Sequence, residues 1–134
     1  IAKYTNNFQV HYTENLPLLR GDFQKLEQVI INLITNACQA IPEKSRQVEV
    51  QTGFNTHKQA VLVTVRDEGP GIDPQDKKHL LDPFFTTKGK QGGTGLGLSI
   101  SSSIIQDHGG KLEFDSIPGQ GTTVRIYLYP AKEA

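Results

Sequence analysis

The sequence predicts an α+β fold, a two-layer α/β sandwich in which helices cover one face of a mixed, mostly antiparallel sheet of about five strands. Short runs of alternating apolar residues mark the strands, and two longer stretches carry apolar residues at helical spacing. The order of these segments is β, α, β, β, loop, α, β, β. Because consecutive strands are joined by tight turns, they should pair antiparallel. A doubly wound parallel sheet would instead need regular βαβ alternation.

The strands are predicted from alternation and from the turns that separate them. Phe8, Val10 and Tyr12 fall on one side of the first strand. A polar turn at 55–59 joins the second and third strands into a hairpin, and a Pro-Gly-Gln-Gly turn at 118–121 joins the last two. The predicted strands cover residues 7–14, 47–54, 60–65, 111–116 and 122–129.

Two helices are predicted, and each has start or stop signals. Asp22 is a plausible N-cap for the first helix, which should run to about Ile41 because Pro42 follows. The second helix should cover 95–108 and end at the glycine pair 109–110. A short helical piece at 75–81 and a long irregular loop at 82–91 are expected between them.

Composition restricts the class of protein. The 134 residues fit one domain, and equal numbers of basic and acidic residues argue against a general nucleic-acid or membrane binder. The single cysteine, Cys38, excludes an internal disulfide and suits a reducing compartment. No apolar stretch approaches the roughly 20 residues that span a bilayer. The chain begins at Ile1 rather than Met, so we expect a fragment of a longer protein.

Two asparagines flank the apolar stripe of the first helix. Asn32 and Asn36 lie four residues apart, one above the other along the helix. They could be partly exposed side chains that hydrogen-bond a neighbouring loop. Alternatively, their amide oxygens could point into a cleft beside the sheet and bind Mg²⁺ or phosphate, since Mg²⁺ prefers oxygen ligands.

A turn-rich segment, DEGPGID, follows the third strand. A carboxylate at the edge of a core, such as Asp67, must be hydrogen-bonded, and the exocyclic amine of adenine is a suitable donor. Gly69 and Gly71 would let a flat ring lie against the backbone. The alternative is a plain strand-to-turn junction. An EF-hand calcium loop does not fit, because positions three and five are glycine and position twelve is Lys78.

The segment GGTGLGLSI, residues 92–100, places four glycines ahead of a helix. The Walker pattern fails here because Phe84 and Gln91 occupy required positions, and the dinucleotide pattern fails at Leu98. Apolar residues between and after the glycines argue against a flexible linker. The remaining interpretation is a glycine-rich loop that leads into a helix N-terminus. The free N–H groups there favour phosphate.

Together these motifs resemble the ATP-binding catalytic domain of sensor histidine kinases, within the wider family of gyrase, HSP90 and MutL ATPases. NLITNACQAI resembles the N box, DEGPGI the first glycine box, DPFFTTK the F box of the ATP lid, GGTGLGLSI the second glycine box and GQGT the last glycine motif. The resemblance spans residues 22–128. NACQA and DPFFTTK are most similar to the nitrogen-regulation and dicarboxylate-sensor branch. A Bergerat-type fold with a flexible ATP lid is implied.

The resemblance also implies roles for individual residues. Asn36 corresponds to the Mg²⁺ ligand, Asp67 to the acid that recognises adenine, and Thr122 to its support through a hydroxyl or a water. Asn32 and Lys88 are the implied catalytic residues, although a solvated Lys88 is an equal alternative. The implied ATP-contacting set is Asn32, Asn36, Ala40, Asp67, Gly69, Gly71, Ile72, Phe85, Lys88, Gly93, Thr94, Gly95, Leu96, Gly97, Leu98 and Thr122.

Asn32 helps to distinguish phosphate transfer from ATP hydrolysis. Hydrolysing relatives carry a Glu four residues before the Mg²⁺-binding Asn as general base, and Asn32 has no basic side chain. The chain is therefore expected to hold Mg-ATP for γ-phosphate transfer, which needs mainly positioning and charge neutralisation. An ATP hydrolase of the gyrase or MutL class, a non-catalytic nucleotide-binding interaction domain and an anti-sigma-type serine kinase are the alternatives.

The phosphoacceptor is expected elsewhere. None of the four histidines lies in the helical His-Glu/Asp context of the family's acceptor, so structural or surface roles are expected for them. The resemblance implies a separate, upstream His-containing dimerisation domain and a response regulator as partners. We expect a monomeric isolated domain, a homodimeric parent, no nucleic-acid partner, and a cytoplasmic location with or without an inner-membrane anchor in the parent.

Overall fold

The computed structural model describes residues 5–77 and 97–130. Its elements are β1 (Asn7–His11), α1 (Phe23–Ala40), β2 (Gln47–Asn55), β3 (Ala60–Asp67), α2 (Pro74–Lys77), α3 (Gly97–Asp107), β4 (Lys111–Ile117) and β5 (Gly121–Leu128). The strands form one sheet in the order β1-β2-β3-β5-β4. Only the β1–β2 pair is parallel among these. The predicted α+β class with a mostly antiparallel sheet is confirmed.

Most predicted boundaries agree with the structure, but the first strand was predicted too long. It ends at His11, and Tyr12 is 79% exposed rather than part of the apolar face. Beyond the strand, the Thr13 N–H donates to the Thr52 hydroxyl at 2.9 Å instead of continuing the ladder. The predicted helix 75–81 begins at Pro74, and its residues after Lys77 lie outside the described part, as does the predicted loop at 82–91.

One face of the sheet forms the core with the two long helices. Alternate residues of the central strands point to this face because side chains alternate across a strand. The buried residues of this cluster come from α1 and α3 above and from β2, β3 and β5 below. They are Val29, Leu33, Ala37, Cys38, Val48, Val50, Val65, Ile105, Ile126 and Leu128.

Cys38 is part of this core and is 3% exposed. Burial in apolar surroundings raises the pKa of its thiol, because the thiolate form would lose hydration. The thiol is therefore protonated at neutral pH and acts as a small apolar side chain.

The opposite face of the sheet carries charged side chains. The Glu49 carboxylate on β2 lies 3.4 Å from the His11 Nε2 and 3.9 Å from the Arg66 Nε. On β4, Glu113 pairs with Lys111 at 3.1 Å, and the hydrogen bond from Lys111 lowers the pKa of the Glu113 carboxyl. The helices thus cover one face only, as the sequence predicts.

The ends of the helices follow standard capping rules. The Asp22 side chain accepts from the Lys25 N–H at 3.2 Å, which confirms the predicted N-cap of α1. After α3, Gly109 has a φ of +72°. The Gly110 N–H donates to the Ile105 carbonyl, and the Gly109 N–H donates to the Gln106 carbonyl, both at 2.9 Å. This pair of bonds is the Schellman motif.

His108 connects the start of α1 with the end of α3. Its Nε2 accepts from the Asp22 N–H at 3.0 Å, and its Nδ1 lies 2.8 Å from the Ile104 carbonyl oxygen. A carbonyl only accepts, so Nδ1 carries the proton and Nε2 is the acceptor of a neutral imidazole. These two hydrogen bonds show how His108 fills the structural role that was expected for it. Among the described residues, no helix is long and apolar enough to cross a membrane.

Replacing His108 by alanine should destabilise the fold. Two hydrogen bonds would be lost at a partly buried site, so we expect the free energy of unfolding to fall by about 1–2 kcal/mol in urea titration. His57→Ala, at an exposed turn position, is the matched control and should change stability by less than about 0.5 kcal/mol. Equal stability of the two variants would contradict this role of His108.

Candidate functional site

A buried carboxylate lies at the end of a central strand. Asp67 is the last residue of β3 and is 7% exposed. Its Oδ1 accepts a hydrogen bond from the Gly69 N–H at 2.8 Å, which fixes the orientation of the carboxylate. Thr122, on β5, is its partner in the antiparallel register. Directly opposed side chains have Cβ atoms about 5 Å apart, so carboxylate and hydroxyl lie together on the helix-covered face.

The C-terminal half of α1 lies against this carboxylate. Asn32, Asn36 and Ala40 follow one another at four-residue spacing, so they lie along one side of the helix, and all three are half-buried. A Cβ at Gly69 would be 3.0 Å from the Ala40 carbonyl oxygen and 2.7 Å from the Asp67 Oδ1. Glycine at 69 is therefore what lets the loop approach both the helix end and the carboxylate.

Asn32 makes a contact that the sequence did not predict. Its Nδ2 donates to the Ser101 hydroxyl at 3.5 Å, and Ser101, on α3, is 0% exposed. This long hydrogen bond joins two helices, so within residues 5–77 and 97–130 the partner of Asn32 is a neighbouring helix and not the loop that one interpretation proposed.

Two glycine-containing loops, 69–72 and 118–121, pack backbone against backbone. Gly71 has a φ of +78°, and a Cβ there would lie 2.5 Å from the Ile117 carbonyl oxygen. The Gly119 N–H donates to the Pro70 carbonyl at 2.6 Å. Gly121 has a φ of +113°, and its Cβ would lie 2.0 Å from the Asp67 carbonyl oxygen. At positions 71 and 121 no other residue type fits without displacing a backbone segment that borders the site.

Ser116 is a site residue that sequence reasoning missed. Its hydroxyl oxygen accepts from the Ile72 N–H at 2.6 Å and lies 3.2 Å from both the Thr122 hydroxyl and the Gly121 carbonyl oxygen. Ser116 pairs with Thr122 across the β4–β5 hairpin. A four-residue turn at 118–121, as predicted, would place Ser116 opposite Thr123; in the structure Gly121 pairs with Ile117, and the resulting register places Ser116 opposite Thr122.

The start of α3 contributes backbone rather than side chains. Gly97 is its first residue, and the Leu98 side chain packs against the hydrophobic core. A contact of Leu98 with phosphate is thus limited to main-chain atoms. The remaining candidates lie outside the described residues: Phe85, Lys88, Gly93, Thr94, Gly95 and Leu96.

The structure therefore brings one part of the candidate set together. Gly69 lies against both the Asp67 carboxylate and the Ala40 carbonyl, and Ser116 links Ile72 to Thr122, which lies beside Asp67. Within residues 5–77 and 97–130, no group of three or more His, Cys, Asp or Glu side chains could hold a metal ion. The geometry fits a small planar group with an amine donor, held by a carboxylate and a hydroxyl between glycine-rich loops.

The chain belongs to the histidine kinase-, DNA gyrase B- and HSP90-like ATPase family, whose model matches residues 21–132. This confirms the family that the motifs indicated. The match includes every described residue of the site, from Asn32 on α1 to Thr122 on β5.

Two curated relatives are sensor kinases. The sensory histidine kinase/phosphatase NtrB of Salmonella typhimurium is 38% identical over 127 residues, which is 87% of this chain and 35% of that protein. The sensor histidine kinase WalK of Bacillus subtilis is 36% identical over 137 residues, which is 96% of this chain and 22% of that protein. The chain thus spans about a third or less of the length of these relatives.

A solved structure shows the same fold. The mycobacterial sensor histidine kinase MprB superposes with a TM-score of 0.79 at 28% identity, covering 93% of this chain and 85% of that one. The chain is therefore a histidine kinase-type ATP-binding domain of the kind found in sensor kinases.

Two glycines with positive φ provide a test of the close approach between the loops. Gly119→Ala should cost about 1 kcal/mol of stability, because its φ of +82° is strained for alanine but nothing lies within 4 Å. Gly121→Ala should cost more than about 3 kcal/mol, since strain is added to a clash with the Asp67 carbonyl. Chemical denaturation of both variants measures the difference, and equal costs would contradict the described contact.

Proposed function

We propose that this domain binds Mg-ATP and donates the γ-phosphate to a histidine on a separate dimerisation domain in two-component signal transduction. The observation that carries the proposal is the buried Asp67 carboxylate, oriented by the Gly69 N–H and paired with Thr122, in a chain of a kinase and ATPase family. A carboxylate at 7% exposure favours a ligand that offers it a hydrogen-bond donor.

In this proposal Asp67 accepts a hydrogen bond from the 6-amino group of adenine. Thr122 supports the same edge of the base, directly or through a water. Gly69 lets the loop approach the Asp67 carboxylate and the Ala40 carbonyl. Gly71 lets it approach the Ile117 carbonyl, so that the loop is held in place beside the proposed base. The glycine-rich segment at 92–97 then leads the triphosphate to the N-terminus of α3, whose N–H groups favour anions.

Asn36 is the proposed ligand of Mg²⁺. It is half-buried on α1, one turn before Ala40, whose carbonyl borders the Gly69 loop. The described residues contain no cluster of acidic side chains, which fits a cation that keeps water and phosphate oxygens as most of its ligands. When bound, Mg²⁺ would neutralise phosphate charge. Lys88 and Phe85 are proposed to complete the site from the lid.

The choice between transfer and hydrolysis rests on Asn32. Its amide cannot accept a proton from water, and its Nδ2 is directed toward Ser101. We therefore propose transfer: the bond between the γ-phosphorus and the β-phosphate oxygen breaks, a bond to an imidazole nitrogen of the acceptor forms, and ADP leaves. Positioning and electrostatics are the contributions of this chain.

The wider setting is also proposed. Residues 1–134 would form one domain of a longer sensor kinase, monomeric by itself within a homodimeric parent. An upstream His-containing domain and a response regulator are the expected partners, and nucleic acid is not. A single, buried cysteine suits the reducing cytoplasm.

Asp67→Asn should weaken adenine-nucleotide binding while the fold survives. The loss of a buried, charge-assisted hydrogen bond should cost about 1.5–3 kcal/mol, which isothermal titration with ADP measures. Asp115→Asn, on the other face of the sheet and 65% exposed at its side chain, is the control and should bind ADP as wild type does. An unchanged affinity in the Asp67 variant would show that the base binds elsewhere.

The reaction is tested with Mg-ATP labelled on the γ-phosphate. We expect no release of phosphate by the chain alone and transfer of label to a separately supplied His-bearing dimerisation domain. Asn36→Ala should lower the transfer rate at least about tenfold, since one ligand of a metal site is removed. Mg²⁺-dependent phosphate release without an acceptor would favour the hydrolase alternative, and nucleotide binding without either reaction would favour the interaction domain.

A further inference from the structure

The Ser116 hydroxyl is bonded on all sides, and the proposed function gives it no role. Its oxygen lies 2.6 Å from the Ile72 nitrogen, 3.2 Å from the Gly121 carbonyl oxygen and 3.2 Å from the Thr122 hydroxyl oxygen. Ser116 and Thr122 are register partners on neighbouring strands. The serine therefore lies directly behind a hydroxyl that borders the Asp67 carboxylate.

The direction of each hydrogen bond follows from the available protons. A hydroxyl has one proton and two lone pairs. Only one arrangement makes all three contacts hydrogen bonds, and in it the Ser116 proton is donated to the Gly121 carbonyl, which can only accept. The Ile72 N–H occupies one lone pair of the serine oxygen, and the other is left for the Thr122 proton. In this arrangement the proton and both lone pairs of the Ser116 hydroxyl are hydrogen-bonded, and the Thr122 proton is donated to Ser116.

Thr122 can then offer only lone pairs to a ligand. Asp67, its cross-strand neighbour, is likewise an acceptor when ionised. Two acceptors side by side match a purine with an amino group at position 6. A purine with an oxygen at that position would direct a third acceptor at Asp67 and Thr122, neither of which can donate to it in this arrangement, and this is costly in a buried site.

We propose that Ser116 is a positioning residue that fixes Thr122 as a hydrogen-bond acceptor and so makes the site select 6-amino over 6-oxo purine nucleotides. This inference rests on the proposed adenine site at Asp67. Without Ser116, the Thr122 hydroxyl can rotate and donate to a 6-oxo group, directly or through a water. Selectivity is thus set by a side chain that does not itself reach the base.

The test compares ADP, which has an amino group at position 6 of the base, with inosine diphosphate, which has an oxygen there. The two bases differ in consequence in the protonation of the ring. Isothermal titration of wild type and Ser116→Ala gives the ratio of the two affinities. We expect the preference for ADP to fall at least about threefold, the effect of one hydrogen bond. Ser116→Thr keeps the hydroxyl and should restore the ratio. Thr123→Ala, next in sequence to Thr122 but on the other face, should leave it unchanged.

Three outcomes have distinct meanings. An unchanged ratio in Ser116→Ala, or equal weakening of both nucleotides, overturns the inference, because a purely structural serine would act on both alike. A wild-type protein that binds neither nucleotide overturns the proposed function itself. If Ser116→Ala fails to fold, Thr122→Val gives the answer: removal of the acceptor should also lower the ratio, and an unchanged ratio overturns the inference.

Discussion

The site depends on a charge held out of water at the end of β3. Asp67 is buried, and the Gly69 N–H donates a hydrogen bond to its Oδ1, while Gly121 packs against its main-chain carbonyl. A buried carboxylate is tolerated only where donors surround it, so the loops must approach closely. Glycine at 69 follows from this requirement, and glycines at 71 and 121 keep the neighbouring backbones of Ile117 and Asp67 in close contact.

The rest of the fold supports this arrangement from two directions. The sheet aligns Asp67, Thr122 and Ser116 in one row across β3, β5 and β4, because register fixes which residues oppose one another. The helices cover that row, with α1 carrying Asn32, Asn36 and Ala40 along one side. The hydrogen bond from the Asp22 N–H to His108 joins the far ends of the two helices. The site residues thus lie on the strand ends and on α1, and the loop 69–72 packs against them.

Much of the architecture could be predicted from the sequence because its signals are local. The Asp22 cap, the glycines after α3 and the alternation in β2 and β3 each act within a few residues. Tyr12 misled the prediction, because alternation alone cannot distinguish a buried tyrosine from one that is 79% exposed. The contacts of Asn32 with Ser101 and of Ser116 with Ile72 join residues 69 and 44 positions apart. No local pattern encodes such pairs; they arise when the sheet register and the helix packing are set.

The charged face of the sheet affects how copies of the chain can meet. β4 is the last strand in the described sheet, and Lys111, Glu113 and Asp115 alternate along its outer face, where Arg125 of β5 pairs with Asp115. Charged side chains at an edge oppose the addition of a strand from another molecule. Sheet extension is therefore a poor route to self-association at this edge of the described sheet.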